Sequence, residues 1–171
     1  MRYSSIRKMD ISNGEGIGIS LFVQGCHFHC KGCFNPETWD FNGGKEWTND
    51  IEAKFLQLAD KPYIKRISIL GGEPLAGKNI EGVYALLREI RFKFGDEKVI
   101  WLYTGYKWET CYQDILYRRN ILRLVDVLVD GQFEIDKQDL YNKKIVFAGS
   151  TNQRIIYSRK SIEQNKLILR S

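Results

Sequence analysis

A chain of 171 residues, 43% hydrophobic and 27% charged, is long enough to bury one sizeable core, and nine Tyr, nine Phe and four Trp exclude a disordered chain. No stretch has the length of a membrane-spanning helix, and the opening MRYSSIRKMD lacks the apolar centre of a signal peptide, which points to the cytoplasm and away from a membrane. The net charge of +5 is uneven, with seven Lys/Arg against one Glu from Lys143 onward; without interleaved aromatic or glycine-rich repeats this argues against a nucleic-acid partner and for a solvated edge or a patch facing an acidic protein.

No internal repeat, low-complexity stretch or linker interrupts the chain, so residues 1–171 read as one domain ending in a basic tail at about 157–171. Residues 17–23 (IGISLFV) predict a buried strand that runs into a cysteine-rich loop. Thr48 or Asn49 caps a predicted helix over roughly 49–60, stopped by Pro62. A second strand over 64–70 ends at Gly71-Gly72-Glu73-Pro74. Asn79 is a candidate N-cap for the clearest helix, in which Ile80, Val83, Tyr84, Leu87, Ile90 and Phe94 recur at helical spacing before Gly95. A strand over 99–103, a weak helical stretch over roughly 108–123, a strand over 125–129 and a last strand over 145–148 follow. Continuous apolar strands alternating with helices predict a parallel sheet covered by helices. Five or six such units are too few for a closed eight-stranded barrel of about 250 residues. The fold class is therefore α/β, an open, partial (β/α) barrel of about five or six parallel strands. Nearly all of its polar and glycine-rich segments fall at the C-terminal strand ends, where ligands gather in such folds.

Cys26, Cys30 and Cys33 lie in the first of these segments with the spacing C-x3-C-x2-C. Thiols this close, in a reducing compartment, point to metal rather than to disulfides. A cubane cluster offers four irons and normally takes four thiolates, so three leave one iron open, as a catalytic site requires. The same spacing admits a structural zinc site with His27 or His29 as fourth ligand. Cys111, alone in a Tyr/Trp-rich stretch, reads as a packed side chain, with a fourth-ligand or redox role left open. At the second strand end, Gly71 and Gly72 allow close approach of a ligand to the backbone, and Glu73 offers a carboxylate for a ligand ammonium. A plain strand-to-helix turn accounts for the same four residues.

The cysteine spacing directly after the first strand, with Gly-Gly-Glu after the second, resembles the signature of the radical S-adenosylmethionine (SAM) superfamily. Members commonly carry an aromatic residue just before the third cysteine, where this chain has Gly32. Tyr103-Thr104-Gly105-Tyr106, Asp126-Val127-Leu128-Val129-Asp130-Gly131 and Gly149-Ser150-Thr151-Asn152-Gln153-Arg154 follow in an order that resembles one family within it. That family is the activating enzymes of anaerobic ribonucleoside-triphosphate reductase, which read WTGY or YTGY, NVLVDG or DVLVDG, and GSSNQR at these places. Asp10-Ile11-Ser12-Asn13-Gly14-Glu15-Gly16 and Asn35-Pro36-Glu37-Thr38-Trp39 extend the likeness, which covers residues 3 to about 156. Gln132, where proline or lysine is frequent, and Thr151, where serine is common, depart from the pattern.

The resemblance implies a 4Fe–4S cluster held by Cys26, Cys30 and Cys33, with the open iron chelating SAM. It implies SAM contacts from Gly32, Cys33, Phe34, Gly71, Gly72, Glu73, Thr104, Asp130 and Asn152, the Gly-Gly-Glu motif taking the amino group of the methionine moiety. It further implies a flavodoxin-type electron donor, reductive cleavage of SAM to methionine and a 5′-deoxyadenosyl radical, and hydrogen abstraction from a glycine of the large reductase subunit. No side chain is then required as acid, base or nucleophile, and the basic tail is a candidate dock for the reductase or a terminal element packed on the domain. Another small radical SAM enzyme, either a different glycyl radical activase or one acting on a deazapurine precursor, is the nearest alternative. A non-enzymatic metal-binding module is the most remote one.

Overall fold

The computed structural model describes residues 1–138 and 146–170. Among these, seven strands form one open sheet in the order β3-β1-β2-β4-β5-β6-β7. They are β1 (Arg2–Asp10), β2 (Gly18–Val23), β3 (Lys45–Glu46), β4 (Arg66–Gly71), β5 (Val99–Thr104), β6 (Val127–Asp130) and β7 (Arg154–Tyr157). The helices are α1 (Asn49–Ala59), α2 (Ile80–Phe94), α3 (Trp108–Gln113), α4 (Arg118–Leu124) and α5 (Ser158–Glu163).

The four central strands, β2, β4, β5 and β6, are parallel, and both flanks are antiparallel. The parallel part is thus four strands, fewer than the expected five or six. The difference lies at the edges. β1 has the polar sequence RYSSIRKMD and no apolar run to announce it; it forms because β2 needs a partner, and Tyr3 and Ile6 supply its contacts with the core. β7 follows the turn at residues 149–153 and returns antiparallel to β6. In the predicted strand over 145–148, Val146, Phe147 and Ala148 form no strand, and Ile145 lies outside the described residues.

Alternation along the strands explains why they read as continuous apolar runs: both faces are covered. Ile19, Leu21, Ile67, Ile69, Ile100, Leu102 and Leu128 pack against Phe55 of α1, Val83, Leu87 and Ile90 of α2 and Ile121 of α4. The opposite, inner face carries Trp101, Val127 and Val129, with Tyr103, Ile155 and Tyr157 against them. It also buries Ser20, Ser68 and Arg66. The Arg66 guanidinium donates to the carbonyls of Asp10, Asn13 and Glu15 and to Ser68 Oγ, and so anchors the loop after β1 under the sheet.

Thr48 caps α1 as expected, accepting from Ile51 N. Asn79 does not cap α2 with its side chain. Its Nδ2 instead donates to the carbonyls of Gln24, Gly25 and Glu73, stitching the start of the cysteine loop to the Gly-Gly-Glu turn. The single weak helix expected over 108–123 is two short helices broken at residues 114–117.

The tail is packed on the sheet. Tyr157 N donates to Ile168 O, Arg170 N to Ile155 O, and Ile156 bridges Leu169. Arg159 pairs with Asp96 and Asp126, and Arg170 reaches Glu15 on the far loop. No helix among the described residues is long and apolar enough to cross a membrane.

Candidate functional site

The strand ends converge on a cavity of about 490 Å³ lined by Cys26, Cys30, Cys33, Phe34, Gly71, Gly72, Glu73, Thr104 and Gly105. The cysteine loop is placed by hydrogen bonds from Gly25 N to Thr38 O and from Cys26 N to Trp39 O, while Gln24 Nε2 donates to the carbonyls of Glu37 and Asp40. All three thiols are half-buried. Asn35 N donates to Cys33 Sγ at 3.4 Å, and Cys30 Sγ lies 4.0 Å from Gln132 Oε1. Burial pushes the Cys26 and Cys30 thiols up from their ordinary value. A bound metal removes those protons outright.

The Gly-Gly-Glu turn is pressed onto this loop. Gly71 has φ +103°, and a Cβ on Gly72 would stand 2.5 Å from Gly25 O, a contact no side chain tolerates. Gly72 N donates to Val23 O and Glu73 N to Gly25 O. Glu73 is itself buried; its carboxylate accepts from Leu75 N, Thr104 Oγ1 and Gly105 N, at 2.7–2.8 Å. Burial nevertheless dominates and raises its pKa to about 7, against the lowering pull of those three donors. A buried carboxylate in that state is poised to ionise when an ammonium group arrives beside it.

Three of the expected SAM contacts, Asp130, Asn152 and Gly32, do not line this cavity. Asp130 is buried, and its oxygens accept from Trp108 N and from the Arg154 guanidinium, so it fastens α3 and β7 to the end of β6. It does not line the cavity. Asn152 borders a neighbouring cavity with Phe28, Tyr106 and Gln132; its Nδ2 donates to Gln132 O, and its Oδ1 is buried without a partner among the described residues. Gly32 has φ +74° and lies under the side chain of Ile135, which packs where a Cβ would project. Phe34 is largely exposed and packs on Phe133 at 4.9 Å between ring centres. The same cavity is also lined by Arg7, Ser12, Asn13, Phe22, Leu70 and Tyr103. Of these, Arg7, Phe22 and Leu70 escaped the sequence reading because an inward position on a strand carries no motif, whereas Ser12, Asn13 and Tyr103 fall in the segments that carry the resemblance. The alternation of β2, β4 and β5 was the available signal.

The donor set fits an iron–sulfur cubane. Three thiols from one loop face one cavity, and Cys111, buried in the helix-side core with its pKa pushed up to about 12, is no fourth ligand there. The histidines are engaged elsewhere: His29 stacks on Trp39 at 4.6 Å and His27 lies 3.2 Å from Tyr106 Oη. Among the described residues no three His, Cys, Asp or Glu are gathered about a single ion position. A cubane takes each thiolate on a separate iron and needs no such gathering.

Open α/β sheet, cysteine loop and buried carboxylate define an iron–sulfur protein, and the family described as a 4Fe-4S single cluster domain matches residues 12–156. Relatives named anaerobic ribonucleoside-triphosphate reductase-activating protein are similar over nearly their whole length. The one from Pasteurella multocida is 38% identical over 92% of this chain and 97% of its own. That of Enterobacteria phage T4 is 37% identical over 91% and 93%, and that of Escherichia coli K12 35% over 93% and 100%. The chain belongs to the family of anaerobic ribonucleoside-triphosphate reductase-activating proteins.

Proposed function

We propose that this chain is a radical SAM activase that installs a glycyl radical on anaerobic ribonucleoside-triphosphate reductase. The observation that carries the reading is one cavity lined by the three thiols of the C-x3-C-x2-C loop and by the Gly-Gly-Glu turn; family membership supports it. The cavity lies at the C-terminal edge of four parallel strands, which we read as the wall of a partial barrel. We take residues 1–171 to act as one domain, in the cytoplasm, with a flavodoxin-type protein as electron donor.

Cys26, Cys30 and Cys33 would hold a 4Fe–4S cluster and leave one iron for the amino and carboxylate groups of SAM. When bound, this pair supplies a one-electron reductive cleavage of the S–C5′ bond, yielding methionine and a 5′-deoxyadenosyl radical that takes a hydrogen atom from a glycine of the reductase. The protein's own part is placement. Gly71 and Gly72 bring the backbone against the ligand, and Glu73 accepts from the SAM amino group while Thr104 and Gly105 hold its carboxylate in place. The Asn35 amide steadies Cys33 Sγ, and Phe34 walls the site from solvent. Gly32 lets the loop turn under Ile135, and Asp130 and Asn152 brace the rim from behind.

Purification without oxygen, reconstitution with iron and sulfide and reduction with dithionite test this directly. The wild type is expected to convert SAM to 5′-deoxyadenosine and Cys30→Ala to give none. Adding the reductase should then produce a glycyl radical by electron paramagnetic resonance (EPR). A colourless protein that holds zinc and leaves SAM intact would refute the reading; SAM cleavage without a glycyl radical would move it to another radical SAM enzyme.

A further inference from the structure

His27, Phe28 and His29 separate the first two thiols of the cysteine loop. Backbone bonds fix the loop on either side of them: Gly25 N and Cys26 N donate to Thr38 O and Trp39 O, and Cys33 N donates to Cys30 O. The three residues between make no backbone–backbone hydrogen bond among the described residues. Side chains hold them instead. His29, at φ +48°, stacks on Trp39, while His27 and Phe28 both lean on the end of β5.

Phe28 fills the space beside Gly105, where a Cβ would stand 2.5 Å from its ring, and it meets Tyr106 at 5.0 Å between ring centres. Tyr106 Oη and His27 Nε2, 3.2 Å apart, share a hydrogen bond. Tyr106 thus touches both residues that follow Cys26. It is itself fixed on several sides. The Arg118 guanidinium lies 4.2 Å from its ring centre and donates to Asp114 Oδ2 and Leu75 O. Tyr106 N donates to Thr104 Oγ1, the hydroxyl that in turn donates to Glu73, and Tyr106 O accepts from Gly131 N. A rigid side chain is therefore set against the part of the loop that has no backbone ties of its own.

What that part of the loop does is visible at Cys26. Burial raises the Cys26 thiol, and the backbone amides of Phe28 and His29 pull against it as hydrogen-bond donors. Amides directed at a ligating sulfur favour the reduced, more negative cluster and so raise its potential. Their direction depends on how His27 and Phe28 are held.

We propose that Tyr106 is a positioning residue for the cluster: through His27 and Phe28 it keeps these amides on Cys26 Sγ and so sets the potential at which the cluster takes up its electron. This rests on the activase reading above. The full-length protein, reconstituted with iron and sulfide, is titrated potentiometrically without oxygen, and the reduced cluster is read by EPR. Tyr106→Phe removes only the hydroxyl and keeps the ring against Phe28 and Arg118, whereas Tyr106→Leu removes the ring as well. At a fixed potential the ratio of reduced to oxidised cluster should fall roughly 3-fold in Tyr106→Phe, as loss of one hydrogen bond predicts. It should fall roughly 10-fold in Tyr106→Leu, a shift of about 59 mV to more negative potential. In a His27→Ala background Tyr106→Phe should add nothing, because the bond it breaks is already gone. Wild-type potential in both Tyr106 variants, or an undiminished effect of Tyr106→Phe in the His27→Ala background, would overturn the proposal and leave the activase reading standing. A wild type that takes up no 4Fe–4S cluster would defeat that reading, and this one with it.

Discussion

At the scale of single residues, Glu73 carries the most chemistry. Exchanging its charge for an amide removes a charge-assisted hydrogen bond from the SAM amino group, so Glu73→Gln should weaken SAM binding by about 10- to 100-fold, read as a dissociation constant on the reconstituted protein. The same residue gives the cluster-free protein a pH signature. Folded, Glu73 keeps its proton up to about pH 7; unfolded, it loses it near its ordinary 4.5. Between those values the native state holds the extra proton, so the stability Glu73 contributes is full below pH 4.5 and is lost as pH rises through 7. Denaturation of wild type and Glu73→Gln at pH 4.5 and pH 8 should show a difference that changes by roughly 3 kcal/mol at most. A pH-independent difference would mean that the carboxylate is already ionised in the folded protein. Residue identity made Glu73 legible in the sequence as a carboxylate at a strand end. Its burial, and the Thr104 and Gly105 donors that hold it, come from β5 lying beside β4.

At the scale of elements, the loop after β1 shows how a polar stretch becomes a fixed part of the site. Arg66, at the start of β4, is wholly buried and satisfies three carbonyls of that loop together with Ser68, while Asp10 lies 4.0 Å from its guanidinium. Arg66→Met should lower stability by about 3–5 kcal/mol, because it leaves several buried carbonyls unsatisfied at once and takes the cation away from the Asp10 carboxylate, which keeps Ser12, Asn13 and Ser20 as donors. Urea denaturation measures this; a loss under 1 kcal/mol would mean that water replaces the guanidinium. Asn79 teaches the same lesson in reverse. Its place before a periodic apolar run makes it a natural helix cap, yet its amide serves three carbonyls that arrive from 55, 54 and 6 residues away. Local pattern located the helix, and distant carbonyls took the side chain.

At the scale of the whole molecule, the basic tail divides into cations with acidic partners and cations without one among the described residues. Arg159 and Arg170 are tied to acids of the domain, as is Arg154 just before the tail. Lys160 and Lys166 are exposed, Lys160 lying over the Tyr157 ring. Deleting residues 158–171 would strip α5 and the partner of β7, costing a few kcal/mol and lowering Tm by roughly 10 °C, so it tests folding rather than docking. The double variant Lys160→Glu, Lys166→Glu separates the two roles. It should leave stability within about 0.5 kcal/mol while weakening activation of the reductase several-fold at low salt. Unchanged activation and unchanged salt dependence would leave the tail a structural element alone.

The sequence by itself determined the chemistry on offer: three thiols in eight residues, a glycine-flanked carboxylate, and apolar strands whose ends collect the polar segments. Those properties are local, set by residue type and spacing, and they needed no partner to be read. Which of the polar groups face one another was decided only in three dimensions. Asp130 turned away to hold Arg154 and Trp108, Gly32 slid beneath Ile135, and Arg7 and Tyr103, 96 positions apart, came to line one cavity. The edge strands were likewise invisible beforehand, because pairing with a neighbour rather than an apolar run of their own makes them strands.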